Sequence, residues 1–270
     1  MASPSGSGAP AAVTAKASAS ASASVVASSG AAPSAPSAAP EGMIRIKGGE
    51  FKMGSDDGEA DEKPVHTVTV ATFDLDATEV TVAAYTACVK SKDCTDPNPG
   101  DWSTYYEADP SRPVNYVDLK QAQTFCAKQA KRLPTEEEWE FAARGPEGRM
   151  WAWGDTPPVM GDGCWGRLAW LKKEGPCPVG AFPKSDTPDG VHDMSGNLWE
   201  WTSSGYSFVY EKPRDASRGL YRGGSWKDLD AKGPKKASVL VERAARRWRN
   251  MPTVKGPMVG FRCAKDATGG

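Results

Sequence analysis

Apolar and polar positions along the chain change period repeatedly, and each change predicts an element. In "MIRIKGGEFKMGS", Ile44 and Ile46 alternate with charged neighbours, Gly48 and Gly49 interrupt, and Phe51 and Met53 resume. This reads as two short strands about a tight turn. A charged loop, residues 56–66, comes next. Val68, Val70, Phe73 and Leu75 then keep the period of two expected of a half-buried strand. From Thr81, a predicted N-cap, the period lengthens: Val82, Tyr85 and Val89 share one face of a predicted helix.

Residues 91–115 are rich in Pro, Asn, Asp and Tyr and read as loop. The strongest helical pattern starts at Asp118, with Leu119, Ala122, Phe125, Cys126 and Ala130 along one side. "LPTEEEWEFAAR" predicts another helix, because Thr135 and Glu138 form a capping box and Trp139, Ala142 and Ala143 can face a core. After Arg144 the sustained periodicity ends. Gly, Pro and Trp dominate, which predicts a long irregular region held by aromatic anchors, with short strands returning at "LWEWTS", "GLYRGGS" and "VGFRCA". All ten Trp residues fall between positions 102 and 248, as a loop-rich domain pinned by bulky side chains would have them.

Composition changes the picture at the N-terminus. Residues 1–42 are nearly all Ala, Ser, Pro and Gly and lack the aromatic groups that could offset the entropy of ordering. They are expected to be a disordered tail or linker, leaving residues 43–268 as one domain, long enough for a sizeable core. No basic region followed by a compact apolar run marks a secretory signal. The arm is expected to join the domain to an anchor or a further domain. No apolar run reaches the length of a membrane span.

Lys and Arg total 33 against 34 Asp and Glu, so no strong attraction to nucleic acid or anionic membrane is implied. Arg243, Arg246, Arg247 and Arg249 are the one basic concentration. Structural pairing is their default reading, with an anion or acidic substrate as the alternative. Six cysteines allow fifteen pairings if all are bridged. Proximity suggests Cys88 with Cys94 and Cys164 with Cys177, and such use favours an oxidising, extracytoplasmic or secreted setting. Zinc is the competing reading of "CVKSKDC", weakened by the absence of a second pair nearby.

"LPTEEEWEFAARG", "MSGNLWEWT", "YRGGSW" and "VGFRCA", in this order, resemble the formylglycine-generating enzyme family, also called sulfatase-modifying factor domains. The resemblance implies an α+β fold, loop-rich, with few short helices and strands and a C-type-lectin-like arrangement. Active members oxidise a cysteine of a sulfatase segment with oxygen and a copper ion held by two cysteines, since soft thiolates select monovalent copper. The corresponding window here, "WKDLDAKGPKKASVLVERAARRWRN", contains no cysteine. The copper-ligand positions fall near Lys236 to Val241, where no soft donor stands. Standard formylglycine-generating oxidase activity is therefore not expected. His66 and His192 are too few for the three-histidine iron branch, so neither copper nor iron is expected.

The resemblance also implies a bridge between Cys126 and Cys263, and a calcium loop at "HDMSGNLWEWT" using Asp193 and Glu200 side chains with Gly196 and Leu198 carbonyls. Hard oxygen donors on a tight loop suit Ca²⁺. The bland alternative is that Asp193 and Asn197 brace the turn through backbone bonds. A second calcium loop retains only Asp162 beside the Cys164 and Cys177 pair. A substrate-groove likeness nominates Ser225, Trp226, Arg246, Arg247 and Asn250, and Glu242 is the one local acid or base. Two functions are open: a non-catalytic, calcium-stabilised module binding a peptide or other ligand, or an oxidoreductase-type modifying enzyme with non-standard catalytic groups.

Overall fold

The computed structural model describes residues 1, 38–97, 109–166, 175–210, 212–228 and 243–267. The compact unit from Pro36 to Gly270 is α+β, with short strands and three α-helices among the described residues.

The first strands are β1 (Met43–Ile46), β2 (Gly49–Met53), β3 (His66–Val70) and β4 (Phe73–Asp76). The tight turn expected at Gly48 is not a hairpin turn. β1 pairs with β4 and β2 with β3, so the two halves run as one antiparallel ribbon that bends in the middle. Gly48 permits the bend: a Cβ there would stand 2.3 Å from the Val70 carbonyl oxygen. The alternating stretch from Val68 to Leu75 is accordingly split between two sheets rather than continuous.

Helices α1 (Val82–Lys90), α2 (Leu119–Lys128) and α3 (Glu136–Arg144) lie close to their expected positions, capped by Thr81, Asp118 and Thr135. Ala130, expected on the α2 face, lies past its end in a left-handed conformation with φ 53°. Val89 is only partly buried, and Cys88 takes the buried position on α1.

The C-terminal half supplies β5 (Trp199–Tyr206), β6 (Asp215–Arg222), β7 (Arg247–Asn250), β8 (Val259–Gly260) and β9 (Ala264–Asp266). Strand β9 completes a three-stranded sheet in the order β1-β4-β9. The others form a four-stranded sheet in the order β7-β6-β5-β8, with β8 parallel to β5. One apolar cluster gathers Tyr85, Val114, Phe125, Trp201 and Phe261, and another gathers Phe51, Phe73, Leu75, Trp139 and Met194.

The three disulfides are Cys88–Cys94, Cys126–Cys263 and Cys164–Cys177, so all six cysteines are bridged. Cys126–Cys263 ties α2 to the last strands across 137 residues. Trp139, Trp165 and Trp201 are fully buried, in keeping with their expected use as anchors, whereas Trp248 is 46 % exposed. No helix among the described residues is long and apolar enough to cross a membrane.

Candidate functional site

Alternation along strands gives the four-stranded sheet two chemically different faces. In register across β5, β6 and β7, Glu200, Arg222 and Arg247 stand opposite one another, and so do their neighbours Trp201, Tyr221 and Trp248. The first row faces an ionic layer and the second an aromatic one.

On the ionic side Arg222 contacts Glu140 and donates to the Ala245 carbonyl at 2.7 Å. Arg247 donates to Glu136 at 2.6 and 3.2 Å, and Arg243 to Glu62 at 2.8 Å. These three arginines and three glutamates are all buried, so charge is matched inside. Neighbouring Arg222 and Arg144 hold the Glu140 carboxyl below the usual range despite its burial. The pairing reading of the arginine cluster is thus observed for Arg243, Arg246 and Arg247, and for Arg249, which has Asp61 at 3.7 Å. Arg246 has Glu59 and Glu62 at 3.3 and 3.8 Å.

A second buried ionic group is unbalanced. Arg262 donates to both oxygens of Glu200, at 2.7 and 2.8 Å, and the Trp139 indole donates to Glu200 at 2.8 Å. Glu79 and Asp193 are also buried here. Burial first, then the charges of Asp193 and Glu200, push the Glu79 carboxyl well above the ordinary range. Burial likewise raises Asp193, whose Oδ2 accepts from the Gly180 N–H at 2.7 Å. Three buried carboxyl groups therefore act on one guanidinium, with Glu200 alone in contact with it.

The two side chains expected to bind calcium, Asp193 and Glu200, lie at this group. Asp193 and Asn197 adopt left-handed conformations with φ 57° and 55°, which makes the loop tight. Asn197 braces it, accepting from Cys177 N–H at 2.9 Å and donating to Glu79 at 3.0 Å. Among the described residues no three His, Cys, Asp or Glu side chains converge as a ready cage. The carboxyl oxygens of Asp193 and Glu200 are hard donors of the kind Ca²⁺ takes, with both Glu200 oxygens accepting from Arg262. Asp162, kept from the second loop, pairs with Lys184 at 2.9 Å.

The aromatic face opens as a cleft of about 340 Å³ between Trp199, Tyr221, Trp248, Met258, Val259, Arg246 and Asp228. The Trp199 ring centroid lies 5.7 Å from that of Tyr221 and 6.2 Å from that of Trp248. Asp228 arrives there because the chain leaves β6 through Gly223 and Gly224, both at positive φ (105° and 78°). A side chain on Gly223 would press on Trp139, 3.1 Å from its would-be Cβ. The adjacent glycines that the sequence shows thus serve a sharp turn and a close approach. Past the turn, the Ser225 hydroxyl donates to Asp228 at 2.7 Å. Burial holds the Asp228 carboxyl above its ordinary range, against hydrogen bonds from Ser225 and Trp199.

Of the nominated groove residues, Arg246 lines the cleft and Ser225 reaches it through Asp228. Trp226 packs on the Cys164–Cys177 bridge and donates to the Pro257 carbonyl at 3.3 Å. Arg247 is turned to the ionic face, and Asn250 contacts the Tyr221 hydroxyl. Arg247 also lines a smaller cavity of about 230 Å³ with Glu59, Asp61, Tyr206 and Phe208. Glu242 and positions 236–241 lie outside the described residues. His66 contacts Tyr210, and His192 Nδ1 lies 2.9 Å from Asp186. Sequence reasoning missed Asp228, Trp199, Tyr221 and Trp248. The signal for three of them was there in the parity of "WEW", "LYR" and "RWR".

The family model "Sulfatase-modifying factor enzyme 1-like domain" matches residues 28–267. The chain is 32% identical over 276 residues to an inactive C-alpha-formylglycine-generating enzyme 2 of Bos taurus, covering 83% of this chain and 88% of that one. It is likewise 32% identical over 311 residues to a formylglycine-generating enzyme of Streptomyces coelicolor, covering 88% and 94%. The fold is similar to that of PvdO from Pseudomonas aeruginosa, with a TM-score of 0.68 at 24% identity, covering 87% of this chain and 99% of that one.

Proposed function

The chain belongs to the formylglycine-generating enzyme family, and from that premise we propose that it is a member without copper-thiolate oxidase chemistry: a disulfide-braced, calcium-stabilised module that binds a peptide or other ligand in the aromatic cleft. One observation carries this reading. Three bridges take up all six cysteines, leaving no thiolate pair for monovalent copper. The cleft itself is walled by aromatic side chains with a few polar groups, the usual make-up of a binding site.

Calcium belongs to the same proposal, with Asp193 and Glu200 side chains and the Gly196 and Leu198 carbonyls as ligands. The ion would offset the surplus of buried carboxylate around Glu79. A lectin-like arrangement of the loops, an extracytoplasmic setting suited to three disulfides, and residues 1–42 as an arm carrying the domain 43–268 complete the proposal. A second reading rests on Asp228. A carboxyl raised by burial inside a cleft is a candidate acid or base, so an enzyme with non-standard groups is the rival.

The test is to give the full chain copper(I), oxygen, a thiol reductant and a sulfatase peptide containing cysteine. The peptide mass should stay unchanged while denatured, non-reduced protein titrates no free thiol. Formation of the aldehyde, or stoichiometric retention of copper, would overturn the reading.

A further inference from the structure

We infer that the cleft of β5, β6, β7 and β8 recognises an ammonium group on an aliphatic stem, enclosed by Trp199, Tyr221 and Trp248 and ion-paired with Asp228. This deepens the binding-module proposal and rests on it.

Each part of the site selects against other ligand classes. Three aromatic side chains border one cavity, with Trp199 packed against both Tyr221 and Trp248. Aromatic faces carry negative potential and attract cations, most strongly where water is thinned. The half-buried Asp228 carboxyl lies among them. An anion would meet that carboxyl and the ring faces together. A purely apolar ligand would strip water from the carboxylate and give nothing back.

Arg246 is the one cation on the wall among the described residues; its charge reaches Asp228, yet it does not turn the cleft into an anion receptor. Its guanidinium is directed to Glu59 and Glu62, at 3.3 and 3.8 Å, and stacks over Trp248 at 5.5 Å. Met258 and Val259 supply an apolar wall for a methylene stem. A lysine side chain of a polypeptide and a free alkylamine share this chemistry.

The probes are a blocked pentapeptide with one central lysine, the same peptide with norleucine in its place, and n-butylammonium. Binding to the full chain is read by calorimetry and Trp fluorescence. The lysine peptide should bind at least about tenfold tighter than the uncharged one, the loss expected when a charge-assisted partner is removed. In Asp228→Asn that preference should vanish with the melting temperature little changed, and Trp248→Ala should weaken both lysine peptide and amine. Tighter binding of the peptide than of n-butylammonium identifies a polypeptide source, and equal binding a small amine. Equal affinity for lysine and norleucine peptides, or an Asp228→Asn preference like that of the parent, overturns the cation and leaves the binding module standing. Binding of none of the probes overturns the cation as well, while the aldehyde and thiol assay continues to decide the module reading by itself.

Discussion

The two faces of the β5–β8 sheet differ by a shift of one residue along each strand, yet they solve opposite problems. Glu200, Arg222 and Arg247 face a layer where each buried guanidinium meets a carboxylate. Trp201, Tyr221 and Trp248, one position over, face aromatic neighbours, and Tyr221 and Trp248 border a cleft whose one acid among the described residues is Asp228. A buried charge whose partner is fixed within the fold is structural. Asp228 is held by hydrogen bonds from Ser225 and Trp199 and not by a guanidinium in contact, and that difference in pairing, rather than in burial alone, separates the scaffold from the proposed site.

The ionic face can be broken most severely. Arg222→Met leaves Glu140 and Glu136 without their central guanidinium in a layer where all three side chains are fully buried. Breaking a buried pair in this way costs about 3–5 kcal/mol. Chemical denaturation should show that loss, and a change under ~1 kcal/mol would mean that the layer is not held by these charges.

Calcium sharpens the contrast between the balanced ionic layer and the carboxylate-rich group beside it. Trp139 touches both, donating to Glu200 and lying under the Arg222 guanidinium, 5.7 Å from its centroid. If Ca²⁺ neutralises the surplus around Glu79, saturating ion should stabilise the fold by about 2.7 kcal/mol at a hundred times its dissociation constant. A melting temperature identical in calcium and in chelator would remove the ion from the account.

The same group has a pH signature in calcium-free buffer. Glu79 is raised in the folded state, so between the ordinary carboxylate range and its raised value the folded chain holds more protons than the unfolded chain. The slope of unfolding free energy with pH is then negative, and stability falls as pH rises through that window. Glu79→Gln should flatten this fall while one acceptor oxygen remains for Asn197 or Leu198 N–H. A slope in the variant equal to that of the parent would locate the titration elsewhere.

These contrasts were only partly legible in the sequence. Helix caps at Thr81, Asp118 and Thr135 are local signals, read from a few adjacent residues, and so α1, α2 and α3 fall near their expected places. Strand partnership is not local. Nothing in "MIRIKGGEFKMGS" says that β1 will pair with β4 instead of β2, because that depends on residues some thirty positions away. The cysteines could be paired by proximity and family likeness, and all three bridges agree. The acid of the cleft was missed for a physical reason. Asp228 looks like an ordinary loop residue until Gly223 and Gly224 turn it under Trp199. Arg247 looked like a groove residue until its parity placed it opposite Arg222.

Trp248 gives the smallest expected effect on stability and the clearest separation of the two faces. Its ring is 46 % exposed at the end strand of the sheet, so Trp248→Ala removes only part of a full burial, on the order of 1 kcal/mol. The Glu136, Glu140, Arg222 and Arg247 pairs on the opposite face do not involve it and should keep the fold cooperative. The cleft, by contrast, loses one of its three aromatic walls and the ring that Trp199 packs against. Stability close to that of the parent together with lost ligand binding would assign the two faces their separate roles. A Trp248→Ala protein that unfolds as readily as Arg222→Met would show instead that the aromatic face also carries the scaffold.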